Sequence, residues 1–221
     1  MLSTIISLLL FALAGAMSTV PVSVTLVILL SPNPRRGALP FLIGSLAGSI
    51  VVVGLSAVGL QFLPVRPRLR NDELVAQFAL VIGAILIVYG AYLLVRKGRP
   101  ESAVPSKMTS KFRSARPWEF VILGLGLNLR PKAILLAVTA GAVIGVQEPP
   151  PLQGSLLVLA YAAVAQSAVI IPVAVWLHSP ARAQIPLTAL YNWLQRNGRR
   201  IAAIAALAIG LCLAVYSVLQ L

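Results

Sequence analysis

Apolar residues fill long stretches of this chain, and polar residues collect in the short intervals between them. At 1.5 Å per residue, about 20 apolar residues in a helix cross the roughly 30 Å core of a bilayer. By this measure the pattern predicts six transmembrane helices, over residues 2–30, 38–63, 74–95, 118–146, 152–177 and 201–219. A shorter amphipathic stretch within 179–200 is typical of a helix that lies in the membrane interface.

The composition agrees with a multi-pass protein of the plasma membrane. Of 221 residues, 59% are hydrophobic and only 10% are charged, whereas about a quarter of residues are charged in soluble proteins. A net charge of +13 is also found in nucleic-acid-binding proteins. Here the cations lie in short loops between apolar stretches, which favours a role in membrane topology and argues against a nucleic-acid partner.

The distribution of these cations predicts the orientation. Six spans place both termini on the same side of the membrane. With both termini outside, the loops on the cytoplasmic side hold thirteen cations and the outer loops hold three, as the positive-inside rule requires. The basic loop 96–117 is then cytoplasmic, and it separates a repeat over 1–95 from a second repeat over 118–221. The predicted fold is an all-α integral membrane protein built of two inverted three-helix repeats.

The fourth predicted span is interrupted at its centre, between Asn128 and Lys132. Pro131 lacks a backbone donor and clashes with the preceding turn, so a regular helix kinks or breaks there. Arg130 and Lys132 flank the break, and cations inside an apolar span mark a functional site by default. In the alternative reading they end a shorter helix and extend to the lipid headgroups. Residues 133–146 alone would rise only about 21 Å, which favours a buried Arg130.

The first predicted span has a matching interruption, where Ser18 and Thr19 precede Pro21. Secondary transporters with inverted repeats have their binding sites at such paired breaks, near the middle of the membrane. The fifth span carries Gln166 and Ser167 at a similar depth. The fold therefore has broken first and fourth helices, with further polar side chains close to both breaks.

The second span contains Gly44 and Gly48, a GxxxG spacing that lets another helix approach closely. Glycine is also simply common in membrane helices, and the spacing alone does not separate the two explanations. A close helix contact at these glycines is the prediction that the structure can test.

The side-chain inventory excludes most catalytic chemistry. Cys212 is the only cysteine and His178 the only histidine, so the chain offers no internal disulfide, no metal cluster and no Ser-His-Asp triad. We therefore predict neither an enzyme nor a bound metal or cofactor. The five acidic residues all fall in loops or at the ends of spans: Asp72, Glu73, Glu101, Glu119 and Glu148. A cationic substrate would meet no carboxylate at mid-depth, which favours an anionic or amphiphilic substrate.

These features together resemble the LysE-type (lysine exporter) superfamily, and within it the actinobacterial GAP/Sap branch, named for addressing glycopeptidolipid or sulfolipid to the cell surface. The superfamily often has Asn-Pro-Lys-Ala in the fourth helix, where this chain has Arg130-Pro131-Lys132-Ala133. Amino-acid exporters of this type also tend to have Pro-Gly-Pro in the first helix, where only Pro21 stands here. The candidate substrate-binding residues are those implied by the resemblance (Pro21, Asn128, Pro131 and Lys132) and those added by the breaks and the polar mid-span positions (Ser18, Thr19, Arg130, Gln166 and Ser167).

The resemblance implies a membrane transporter, or a transport accessory, that moves a cell-envelope lipid toward the surface. The alternative is an exporter of amino acids or similar small solutes. A third hypothesis is a structural partner that positions envelope-lipid export machinery without transporting anything. The expected partners are membrane lipids, the lipid or small-molecule substrate, that export machinery, and a second copy of the chain in a homodimer.

Overall fold

The computed structural model describes residues 2–61, 71–95, 115–147 and 149–220, and every regular element within them is a helix. The helices are α1 (Leu2–Ala16), α2 (Thr19–Leu29), α3 (Pro34–Gln61), α4 (Asn71–Val95), α5 (Pro117–Leu127), α6 (Pro131–Val146), α7 (Pro151–Ala165), α8 (Ser167–His178) and α9 (Pro180–Gln220). Most of the basic loop, residues 96–114, lies outside the described residues, as do residues 62–70.

The helices are apolar enough for a membrane protein, but most of them are not straight spans. In the part of the chain that the structure describes, only α3 has by itself the length and composition to cross a membrane. Three pairs of shorter helices, α1 with α2, α5 with α6, and α7 with α8, qualify as bent spans, and so does α9 with its internal bend. That makes up to five spans, so the sixth span and the inverted repeat stay predictions.

Both predicted breaks are present. The axes of α1 and α2 differ by 52°, and those of α5 and α6 by 70°. Each break lies just before its proline: α2 begins two residues before Pro21, and Pro131 is the first residue of α6. Proline is tolerated in the first turn of a helix because the amide hydrogen there has no partner within the helix. Arg130, the residue before proline, is forced out of the helical region and is extended, with φ −71° and ψ 146°.

The fifth predicted span differs from the sequence prediction, which had it unbroken. It is divided at Gln166 into α7 and α8, whose axes differ by 69°. Pro172 lies inside α8, so the bend does not occur at the proline. The interfacial segment and the last predicted span form one continuous helix, α9, which bends by 72° between Arg182–Gly198 and Arg200–Val215.

The packing centres on α3, which contacts both α5 and α6 along its length. Small residues allow this approach. A Cβ atom added to Gly44 would overlap the carbonyl oxygen of Val121 on α5, and one added to Gly141 on α6 would lie 2.6 Å from the carbonyl oxygen of Val53 on α3. The predicted close contact at the GxxxG spacing is therefore confirmed, and α6 presents a second small-residue face to the same helix.

Gly44→Ala should destabilise the protein, because the added methyl group meets the backbone of α5, which cannot move without shifting the whole helix. The expected loss is about 1–3 kcal/mol, the range for overfilled packing. Gly54→Ala is the matched control, since an added Cβ there meets nothing within 4 Å. Thermal unfolding of the two variants in nonionic detergent measures the difference. Equal midpoints would show that the α3–α5 contact tolerates separation.

Candidate functional site

The three helix breaks meet around one small polar cavity, of volume about 60 Å³. It lies between the ends of α1 and α2, the residues joining α5 to α6, the break at Gln166, and the polar face of α3. We call it the polar cavity. Its polar lining residues are Ser18, Ser45, Ser49, Asn128, Arg130, Lys132, Tyr161 and Gln166.

A buried hydrogen-bond network connects three of these side chains across three helical elements. The Ser45 hydroxyl donates to Oε1 of Gln166 at 2.8 Å, and Nε2 of Gln166 donates to Oδ1 of Asn128 at 2.9 Å. Nδ2 of Asn128 donates to the backbone carbonyls of Ser45, at 2.9 Å, and Gly124, at 3.1 Å. Since an unpaired buried amide costs several kcal/mol in an apolar setting, this network fixes the breaks against α3.

Gly48 makes the network possible. A Cβ atom at this position would lie 2.8 Å from Nδ2 of Asn128 and 3.2 Å from the Cα atom of Leu125. Only a residue without a side chain therefore lets the Asn128 amide pass α3 and reach the Ser45 carbonyl. The second glycine of the GxxxG spacing thus serves the site as well as the packing.

Two further hydroxyls, those of Ser49 and Tyr161, line the polar cavity but do not belong to the hydrogen-bond network. Ser49 is 3% exposed and Tyr161 is 5% exposed, and neither hydroxyl has a hydrogen-bond partner among the described residues. The structure leaves no fully enclosed side-chain oxygen or nitrogen of the described part unsatisfied. Both hydroxyls must therefore reach the space of the cavity, where they can donate to or accept from a ligand or water.

A larger apolar chamber, of volume about 430 Å³, adjoins the polar cavity. Its walls come from the α1–α2 break, α4, the start of α6, and α9; they include Ile85, Leu86, Tyr89, Leu135 and Ala202. Ser18, Arg130, Lys132 and Leu136 line both spaces. The two cations therefore lie at the junction between a polar compartment and an apolar one.

The electrostatic character of the junction is positive. Arg130 and Lys132 are both partly buried, on either side of the first residue of α6, where the amino end of the helix adds partial positive charge. Among the described residues that line the polar cavity and the chamber there is no aspartate or glutamate. Positive charge at the amino end of a helix favours an anion over a cation.

The structure brings most of the predicted site residues together. Ser18, Pro21, Asn128, Arg130, Lys132 and Gln166 line the polar cavity, and Thr19 and Pro131 line the chamber. Ser167 lines neither of these two spaces. Ser45, Ser49 and Tyr161 also line the polar cavity, although the sequence pattern did not predict them. The serines directly follow Gly44 and Gly48 in the stretch GSLAGS, so one turn of α3 presents small polar residues where another helix approaches.

Comparison with known families agrees with this picture of a membrane protein. The family model described as "Sap, sulfolipid-1-addressing protein" matches residues 8–218. The chain belongs to that family. The matched residues include all three helix breaks and every residue that lines the polar cavity or the chamber of this Sap-family protein. No curated protein and no solved structure matches the chain.

Gln166→Met should lower stability by about 1–3 kcal/mol, because Asn128 and Ser45 each lose a buried partner while the side-chain volume is nearly kept. Gln153→Met is the matched control, since Gln153 is exposed on α7 and its replacement unpairs nothing buried. The measurement is the apparent melting temperature of each purified variant in nonionic detergent. If both variants melted with the wild type, the network would not hold the breaks together.

Proposed function

We propose that this Sap-family protein moves an anionic cell-envelope lipid toward the cell surface, or assists its movement, by binding it at the junction of the polar cavity and the apolar chamber. The observation that carries the proposal is the position of Arg130 and Lys132 between the two spaces. A lipid has the same two-part character, a polar headgroup joined to an apolar chain. The family description names a sulfolipid, and a sulfolipid is an anionic amphiphile of this kind.

Helix packing supports an inverted repeat as the framework of this transport. In the first half α3 packs on both parts of the second broken helix, α5 and α6. In the second half α7 packs on α1 and α8 packs on α2, the two parts of the first broken helix. Helix α4 packs against α9. Exchanging the halves maps the contacts of α3 onto those of α7 and α8, and it maps the α4–α9 contact onto itself. This is expected for two related repeats whose site lies between them.

Export of basic amino acids, the activity of the LysE-type exporters that the chain resembles, is less well supported. A cationic substrate would have to approach Arg130 and Lys132 with no carboxylate among the described lining residues to offset the repulsion. Proton-coupled relays in membranes commonly use such carboxylates as well. The lipid proposal needs no catalytic acid–base pair, metal or cofactor.

Arg130→Ala and Lys132→Ala should reach wild-type abundance in the membrane and deliver much less lipid to the surface. A hydrogen bond to a charged group contributes about 1.5–3 kcal/mol, so each loss should weaken substrate binding by about tenfold or more. Lys132→Arg should be intermediate, because a planar guanidinium does not reproduce an ammonium point charge. The measurement is surface glycolipid recovered per unit of membrane-inserted protein.

Arg36→Ala provides the control for a cation at the membrane surface, since Arg36 is exposed in the first turn of α3. It should deliver lipid as the wild type does. Full delivery by both site variants would mean that Arg130 and Lys132 only anchor the helix at the headgroups. The proposed site would then be wrong.

A further inference from the structure

The two adjoining spaces differ in size and in the side chains that line them, so they suit two different parts of one ligand. The polar cavity presents the hydroxyls of Ser49 and Tyr161, which have no hydrogen-bond partner among the described residues, together with both cations. The chamber presents mainly aliphatic and aromatic side chains and is about seven times larger by volume, 430 Å³ against 60 Å³. A ligand that bridged the junction would place its charge and its hydrocarbon in separate, matching environments.

We propose a bipartite lipid site: the polar cavity binds a single oxyanion of the lipid headgroup through Ser49, Tyr161, Arg130 and Lys132, and the chamber holds an alkyl chain of the same molecule. The proposal rests on the proposed function and specifies the substrate class, an amphiphile whose sulfate, phosphate or carboxylate lies close to its chain.

The hydroxyls of Ser49 and Tyr161 support binding of an oxyanion in the polar cavity. A buried hydroxyl without a partner is costly, and this protein satisfies Ser45, Asn128 and Gln166 in the same cavity through the network. The hydroxyls of Ser49 and Tyr161 have no such partner among the described residues, and a ligand oxygen that bonded to both would supply one. The cavity has room for only a few water-sized groups, which fits one oxyanion and is too small for a sugar ring.

The size and lining of the chamber support binding of an alkyl chain there. Its volume lies within the range of about 300–1,000 Å³ that small-molecule sites occupy. The chamber shares Ser18, Leu136 and both cations with the polar cavity as lining residues. Charge complementarity at this shared lining favours an anionic amphiphile over a neutral one.

Binding of radiolabelled hexadecyl sulfate to the purified full chain in nonionic detergent tests the site, with hexadecanol and inorganic sulfate as the partial ligands. The wild type should bind hexadecyl sulfate more tightly than hexadecanol, and inorganic sulfate should compete poorly. Tyr161→Phe and Ser49→Ala remove one hydroxyl each with little change in packing. Each should weaken hexadecyl sulfate binding by about tenfold, the equivalent of about 1.4 kcal/mol, and leave hexadecanol binding unchanged.

Ile85→Trp tests the chamber. Ile85 lines the chamber and is 45% exposed, so a larger side chain can be accommodated while it fills part of the space. Binding of both hexadecyl ligands should fall. Val81→Trp is the matched control one turn away on α4, where Val81 is 56% exposed and outside the chamber lining; it should bind both ligands normally.

Each contrary result would overturn one part of the proposed lipid site. Wild-type affinity in Tyr161→Phe and Ser49→Ala would show that the headgroup does not bind in the polar cavity. Equal binding by Ile85→Trp and Val81→Trp would show that the alkyl chain does not bind in the chamber. Competition by inorganic sulfate as strong as that by hexadecyl sulfate would leave an anion site with no role for a lipid. These assays need no transport. The site can therefore fail while Arg130→Ala still blocks lipid delivery, and it can stand while that variant delivers normally.

Discussion

The structure depends on the pairing of two buried amides, each at the break of a bent helix pair. In an apolar environment each interruption of a helix frees backbone groups and exposes polar side chains that must find partners inside the protein. Asn128 and Gln166, at two of these breaks, satisfy each other and are both tied to Ser45 on α3. This arrangement holds the breaks in the fourth and fifth predicted spans against α3, and residues at the break in the first span line the same polar cavity.

The hydrogen-bond network can form only because α3 packs closely against α5. The positions of Gly44 and Gly48 allow both this packing and the network. Gly44 brings the backbones of α3 and α5 together, and Gly48 leaves space for the Asn128 amide. The same register directs Ser45 and Ser49, each next to a glycine, to the cavity. Helix packing and the polar lining are therefore two consequences of one short stretch of α3, and a larger residue at either glycine would disturb both.

Sequence patterns predicted much of this, and the failures have physical causes. The breaks before Pro21 and Pro131 follow from proline chemistry, and the cations at Arg130 and Lys132 stand out within an apolar span. The break at Gln166 has no proline beside it, and Pro172 nearby lies within an unbroken helix, so local signals point to the wrong place. Ser49 was missed because a serine hydroxyl in a helix usually bonds to its own backbone, and Tyr161 because a tyrosine within an apolar span is typical of core packing. Only the tertiary structure shows both side chains lining the polar cavity.

The central claim is that an anionic lipid occupies the junction and extends into the chamber of this Sap-family protein. Photo-crosslinking tests it most directly, with an anionic lipid that carries a diazirine midway along its alkyl chain and with adducts mapped by mass spectrometry. The account predicts adducts on chamber residues of α4 and α6, such as Ile85 and Leu135, that are lost when unlabelled lipid competes. Adducts confined to outward-facing residues such as Leu55 and Val88, 68% and 69% exposed, and unaffected by competitor, would contradict it.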